Sequence, residues 1–210
     1  MDVIERLHHD IKNRNSSTEE FAKVFYEIAK ILMNEYILEI EDMKIEFTEI
    51  EFYYFDEKRH TDPYVHKHPL QKNINTLYVH PKWGNYGGID LTFGDDNCYG
   101  GILIRGIKLN NKYICGPAKV RDEINKKFNA KTYFALQKNL DNEVALVQIS
   151  KKDETILRST RIGLSGKNED FYYALYRFVR EDYFEAKNKK EIFKGNLKEI
   201  TNLIEYTKNY

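Results

Sequence analysis

The apolar positions of this chain change period along its length. After Ser17-Thr18-Glu19-Glu20, which has capping-box spacing, Phe21, Val24, Phe25, Ile28, Ile31 and Leu32 recur at helical intervals and predict an amphipathic helix to about Asn34. A weaker helical pattern covers Val3 to Lys12, ahead of the polar break Asn13-Arg14-Asn15-Ser16. Both helices have the pattern of packing elements. From Tyr36 to Phe55 β-branched and aromatic residues crowd together, in Ile45-Glu46-Phe47-Thr48 and in Ile50-Glu51-Phe52-Tyr53-Tyr54-Phe55, which predicts strand.

The histidine-rich stretch Arg59 to Pro69 is expected as a loop. Strands are expected again at Thr76–His80, Gly88–Phe93 and Gly101–Ile107, with glycines at the turns between them. Gly116-Pro117 introduces a helical pattern from Ala118 to Phe128, with proline where its missing N–H matters least. Further strands are predicted at Tyr133–Gln137, Val144–Ser150 and Ile156–Leu164, then a closing helix at Lys189–Tyr206. The chain has no internal repeat and no low-complexity linker.

A length of 210 residues with 41% hydrophobic content suits one buried core and is short for two domains. The expectation is therefore one domain over 1–210: N-terminal helices to residue 35, a β-rich core over 36–180 and a C-terminal helix over 183–210. No apolar run approaches the roughly 18 residues that span a bilayer, and the N-terminus lacks a signal pattern, so a soluble, intracellular, cytoplasmic protein is expected. Cys98 and Cys115 form no Cys-x-x-Cys pair, which argues for reduced thiols rather than a disulfide framework or a cysteine zinc site. The 33 basic and 33 acidic residues cancel, yet unevenly. Residues 1–57 carry 15 Asp/Glu and 6 Lys/Arg, net −9, while 58–140 carry 14 Lys/Arg and 6 Asp/Glu, net +8. Such an excess either solvates a surface or marks one that meets nucleic acid.

Several residues stand out chemically, each with an ordinary alternative. Glu51 shares a strand face with Tyr53, opposite Ile50 and Phe52, so it points either to solvent or into a site where a carboxylate lies beside an aromatic ring. His60, His66, His68 and His80, with Asp62, have the donor types of a metal site, but the absence of a nearby cysteine favours a histidine that hydrogen-bonds a ligand. Trp83 is either a core anchor or the tip of a hairpin, since Pro81-Lys82 and Gly84-Asn85 flank it with turn residues.

The order of segments along the chain adds weight to the second reading of each. Glu49-Ile50-Glu51-Phe52-Tyr53, Asp62-Pro63-Tyr64-Val65-His66, Thr76-Leu77-Tyr78-Val79, Leu103-Ile104-Arg105, Gly116-Pro117-Ala118-Lys119 and Arg161-Ile162-Gly163 follow one another, with Tyr176-Arg177-Phe178 later. Together they resemble the alkyladenine (3-methyladenine) DNA glycosylases. The matching family patterns are Glu-Thr-Glu-Ala-Tyr, Asp-Pro-Ala-Ser-His, Thr-Leu-Tyr-Val-Tyr, a Leu-Ile-Arg strand, Gly-Pro-Gly-Lys, Arg-Ile-Gly or Arg-Val-Gly, and Leu-Arg-Phe. The resemblance covers about residues 45 to 180.

The resemblance implies a single α+β domain with a curved, mostly antiparallel sheet flanked by N- and C-terminal helices. It implies that Glu51 is the general base, that Glu51 and Arg105 hold the attacking water, and that the main-chain carbonyl near Ile162 completes the water site. Tyr53 and His66 correspond to residues that grip the flipped base, and Trp83 to an intercalating residue. Lys67, Lys72, Lys82 and Lys119 are candidates for phosphate contacts. His80 stands where the family has an aromatic, and Asp90 where it has an asparagine beside the base. The implied activity is hydrolysis of the N-glycosidic bond of a damaged purine in double-stranded DNA, by a monomer without metal or cofactor. No lysine lies in a motif position for Schiff-base chemistry, so water is the expected nucleophile. The alternatives are a related hydrolase acting on another nucleoside-containing substrate and an inactive nucleic-acid-binding module.

Overall fold

The computed structural model describes residues 2–12, 17–81, 87–141, 144–166 and 168–186. Two N-terminal helices, α1 (Val3–Lys12) and α2 (Thr18–Glu35), lead into β1 (Tyr36–Ile40), the long β2 (Met43–Asp56) and the short β3 (His60–Thr61). A 3-10 turn (Pro69–Lys72) precedes β4 (Ile74–Val79), β5 (Ile89–Phe93), β6 (Cys98–Leu109) and β7 (Lys112–Cys115). Then come α3 (Pro117–Phe128), α4 (Tyr133–Leu140), β8 (Val144–Gln148), β9 (Ile156–Ser159), α5 (Glu169–Tyr172), β10 (Arg177–Arg180) and α6 (Glu181–Ala186). The strands form one curled antiparallel sheet in the order β4-β5-β6-β2-β1-β8, with β10 joining β2 to β9. This is a single α+β domain with helices at both ends.

The predicted caps hold α2 in place: Ser17 accepts a hydrogen bond from the Glu20 N–H at 3.2 Å, and the apolar stripe lies on the sheet. Phe25 stacks on Phe52 at 4.5 Å between ring centroids and meets Tyr176 edge-on at 4.9 Å. Ile45 and Phe47 of β2 face this core, and so do Ile50, Phe52 and Tyr54, which have the opposite parity. The change of phase occurs at Thr48–Glu49, where the β2–β6 ladder is irregular on both strands; β6 changes phase with it, between Ile104 and Ile107. One extra residue per strand turns the alternation over without losing register. Glu49, Glu51 and Tyr53 are thereby placed on the face turned away from α2.

Three expectations are corrected. Tyr133–Gln137 is the start of helix α4, not a strand: Thr132 accepts from the Ala135 N–H, and Leu136 and Leu140 are buried one helical turn apart. Aromatic residues at its start imitate strand composition, but a capped i, i+4 pair buried against the sheet decides the outcome. Second, the predicted strand Ile156–Leu164 stops at Ser159, the partner of Arg177 at the start of β10, and Gly163 beyond it takes a φ of 80°. Third, the expected run Tyr36–Phe55 is two strands, folded back at Glu41, whose φ is 51°. The closing helix Lys189–Tyr206 and residues Lys82 and Trp83 lie outside the described residues.

Candidate active site

Across the face opposite α2, cross-strand neighbours form a row. Glu51 of β2 pairs with Leu103 of β6, Leu103 with Asp90 of β5, and Asp90 with Tyr78 of β4. Two crossing segments roof this row. The loop over residues 62–68 brings Tyr64 and His66, and the turn over 161–165, tied by the Tyr64 hydroxyl donating to the Ser165 carbonyl, brings Ile162, Gly163 and Leu164. Between them lies a half-open cavity of about 520 Å³, lined also by Tyr53, Gln71, His80, Asp90, Leu103, Arg105 and Pro117. The expected site residues Tyr53, His66, His80, Asp90, Arg105 and Ile162, drawn from distant parts of the chain, therefore surround one space.

Glu51 lies directly behind that wall and is 0% exposed. Its Oε1 accepts from the Ile162 N–H at 2.8 Å, and its Oε2 accepts from the Tyr53 hydroxyl at 2.9 Å. The Arg105 guanidinium reaches both oxygens at 3.4 Å. Ile162 thus meets Glu51 through its N–H, not through the main-chain carbonyl expected there. Burial, reinforced by the Glu51 charge, pushes the Tyr53 phenol far above its ordinary value, so this hydroxyl acts as a donor.

A second carboxylate shares the arginine. Glu49 Oε1 accepts from Arg105 Nε at 3.0 Å and from Arg177 Nε at 2.8 Å, and Tyr183 donates to Oε2 at 3.3 Å. Burial raises the Glu49 carboxyl, but Arg177 and Arg105 outweigh it and hold the group below the usual carboxylate range. Two carboxylates and two guanidiniums thus form a charge-balanced cluster under the cavity.

A separate buried pair anchors the roof. Arg161 Nη1 donates to Asp62 Oδ2 at 2.6 Å and to the Phe52 carbonyl at 3.1 Å, while Nη2 donates to the Phe171 carbonyl at 3.1 Å. Both side chains are 0% exposed. The guanidinium lies 4.5 Å from the centroid of the Tyr53 ring, so one pair fixes the 62–68 loop, the 161–165 turn and an aromatic wall together. Sequence reasoning assigned Arg161 no role, although its Arg-Ile-Gly segment and the Asp62-Pro63 segment were both visible. Tyr64 and Pro117 also lie in the segments that match the glycosylase patterns; Gln71, by contrast, carries no sequence signal.

At the other end of the row His80 Nε2 lies 2.8 Å from Asp90 Oδ1, and Gln71 Nε2 donates to Asp90 Oδ2 at 3.1 Å. His66 Nδ1 lies 3.3 Å from the Tyr78 hydroxyl, and its ring centroid is 4.5 Å from that of His80. His60 is separated from the other histidines: its nitrogens engage the Tyr54 carbonyl and the Tyr176 hydroxyl, each at 2.8 Å, and Phe21 lies at 4.2 Å. Burial pushes its imidazole down to about 4, the behaviour of a neutral core residue. With both nitrogens taken, His60 cannot complete a metal site with His66, His68 and His80. Among the described residues, His8, Asp95 and Cys98 do bring donor atoms within 4.8 Å of one another, but Lys12 forms an ion pair with Asp95 there.

Of the lysines proposed to meet phosphates, Lys67 and Lys119 are exposed, and the Lys67 ammonium lies 3.4 Å from the centroid of the Phe55 ring. Lys72 instead donates to the Asp96 carbonyl at 2.9 Å. No helix among the described residues is long and apolar enough to cross a membrane.

No family model matches the chain. An uncharacterized protein of Acanthamoeba polyphaga mimivirus is 30% identical to it over 205 residues, spanning 84% of this chain and 92% of the viral protein, and the chain belongs to that protein's family.

Proposed function

We propose that this protein is a monofunctional DNA glycosylase that hydrolyses the N-glycosidic bond of a damaged purine flipped out of duplex DNA. One observation carries the reading. Glu51 and Arg105, 54 positions apart in sequence, meet under a cavity walled by Tyr53, His66 and Ile162, the residues the resemblance brought forward.

The chemistry suits these groups. As the base departs, the sugar gains oxocarbenium character, which a carboxylate beneath it stabilises while also accepting a proton from water. Glu51 is oriented for this by three donors, from Ile162, Tyr53 and Arg105. The Tyr53 ring, backed by Arg161, offers a flat wall to a base, and His66 offers a hydrogen bond at the rim. Extruding a nucleotide requires grip on the flanking backbone, which the exposed Lys67 and Lys119 would supply. The substrate would put the enzyme in the intracellular compartment that holds DNA.

The test is base release from a duplex carrying a single deaminated or alkylated purine, run beside the free nucleosides. Glu51→Gln is expected to slow release by about a hundredfold or more while lesion-duplex affinity is kept, since shape is conserved and the proton acceptor is lost. Release by Glu51→Gln at a rate comparable to the parent refutes the assignment, and release from nucleosides alone indicates a different hydrolase.

A further inference from the structure

Away from the cavity, the N-terminal helix and the β5–β6 turn bring three different donors together. Ile4, Leu7, His8 and Ile11 recur on one face of α1, so an imidazole takes a place in the stripe that packs on the sheet. His8 Nδ1 lies 3.1 Å from the Phe93 carbonyl, and a carbonyl only accepts, so the ring proton belongs to Nδ1. In the neutral ring Nε2 then presents a lone pair, and what it faces at 3.4 Å is another, on Asp95 Oδ2. A cation is what makes such a contact favourable. Asp95 is fixed in turn, because its Oδ1 accepts from the Asn97 N–H at 2.8 Å and from the Cys98 N–H at 3.1 Å. Cys98 Sγ lies 3.2 Å from the same Oδ1 and the residue is 2% exposed. The buried Tyr54 hydroxyl hydrogen-bonds to this sulfur.

One donor atom from each of His8, Asp95 and Cys98 lies within 4.8 Å of the other two. Around a tetrahedral zinc ion, bonds of about 2.0–2.3 Å set neighbouring ligand atoms roughly 3.3–3.8 Å apart, so the three need close in only a little. We propose that His8 Nε2, an Asp95 carboxylate oxygen and Cys98 Sγ form a binding site for one divalent transition-metal cation, zinc above all, with water at the fourth position. The ion would pin α1 to the β5–β6 turn. Mixed nitrogen, sulfur and oxygen donors suit zinc and not calcium or magnesium. The supporting contacts are of the kind such sites use: a carbonyl holds His8 in the ligating tautomer, and hydrogen bonds hold the carboxylate and the sulfur. Charge also balances, since one thiolate and one carboxylate cancel a divalent ion. None of the three residues lines the cavity described above, so the site stands apart from the glycosylase reading.

Two features oppose the ion. Lys12, at the end of α1, forms an ion pair with the same Asp95 oxygen, but its side chain is 45% exposed and has room to turn into solvent. Burial, with Asp95 beside it, pushes the Cys98 thiol up to about 11, so binding must displace that proton to solvent. Coordination offsets this, because the ion supplies the positive charge that a buried thiolate needs.

The experiment titrates the full chain, stripped of metal by a chelator and kept reduced, with cobalt(II) and then with zinc. Cobalt should bind one ion per chain, with the charge-transfer absorption of a cobalt–thiolate bond and the visible bands of tetrahedral coordination, and zinc should displace it. His8→Gln, Asp95→Asn and Cys98→Ser should each weaken zinc binding by about a hundredfold or more, beyond what losing a supporting partner costs. Lys12→Ala, which leaves Asp95 to the ion, should tighten binding severalfold and reads the site without disturbing a ligand. At free zinc about a hundred times the dissociation constant, the melting temperature of the parent should rise by about 5–10 °C, and that of His8→Gln should not. Cys115→Ser and His66→Gln should bind as the parent does. The proposal is overturned by a parent without the thiolate band, by zinc affinity within threefold of the parent in both His8→Gln and Cys98→Ser, by binding in Lys12→Ala no tighter than in the parent, or by a loss that follows His66→Gln instead.

Discussion

Asp62→Asn tests the link between the fold and the site. The substitution keeps the shape of the side chain and removes its charge, leaving the Arg161 guanidinium buried at 0% exposure with two backbone carbonyls as its remaining acceptors. Its Nε already lacks a hydrogen-bond partner among the described residues, so nothing nearby can take up the loss. Burial opposes the charge on Arg161, and Asp62, with Tyr53 and Glu51, outweighs that burial; removing the Asp62 carboxylate takes away the largest of these compensations. Breaking a buried pair from one side costs about 3–5 kcal/mol. With a denaturant slope near 3 kcal/mol per molar, as suits a chain of this size, the urea midpoint should fall by about 1–1.7 M. The same change should loosen the turn that presents the Ile162 N–H to Glu51, so activity should drop even in denaturant-free buffer. Equilibrium urea unfolding followed by circular dichroism measures the midpoint. The double variant Asp62→Asn with Arg161→Met, which removes the stranded charge, should recover part of the stability. A midpoint lowered by less than about 0.3 M in the single variant would refute the view that this pair anchors the roof.

Three further outcomes are expected. Because burial depresses His60 from 6.5 to about 4, the unfolded chain takes up a proton there before the native one does; stability due to this neutral residue is whole above 6.5 and lost as pH falls to about 4, by up to roughly 3 kcal/mol. Urea midpoints at pH 7.5 and 4.5 should diverge less in His60→Gln, and equal pH slopes would contradict this. Gly101→Ala drives a Cβ against Asp90 and Gln71 and should lower stability by about 1–3 kcal/mol, read by thermal melting; a neutral result would mean that the pair can shift freely. Lys67→Ala and Lys119→Ala should each weaken duplex binding regardless of sequence and flatten the salt dependence by about one unit, whereas Lys72→Ala should do so less, and a titration across salt concentrations decides this.

Much of the fold is legible in sequence because its cues are local. The Ser17 cap and the stripe from Phe21 to Leu32 define α2 without reference to anything else, as Gly116-Pro117 does for α3. The aromatic-rich strands declare themselves by composition. Tyr133–Leu140 did not, since its aromatic start suits strand and helix alike, and Gln137 belongs there for a tertiary reason: its side chain bonds the Leu77 carbonyl and the Val79 N–H along β4, both at 2.7 Å. Sequence order also brought forward most of the cavity wall, but Arg161 had only its place in a matching segment and Glu49 stood second to Glu51.

What the sequence determined by itself is the set of elements and the types of chemistry available, because caps, periodicity and turn residues act over a few positions. The tertiary structure alone decided which charges meet. Glu51 could have faced solvent; the irregularity at Thr48 and Arg105 turns it inward, and burial there is tolerable only because Arg105, Tyr53 and Ile162 converge on it from three separate segments. The same holds for His60 and His80, two histidines alike in sequence. One is held neutral among Phe21, Tyr54 and Tyr176, and the other is held at the cavity by Asp90, because the energy of a polar group is set by the partners the fold supplies, and those partners are distant in sequence.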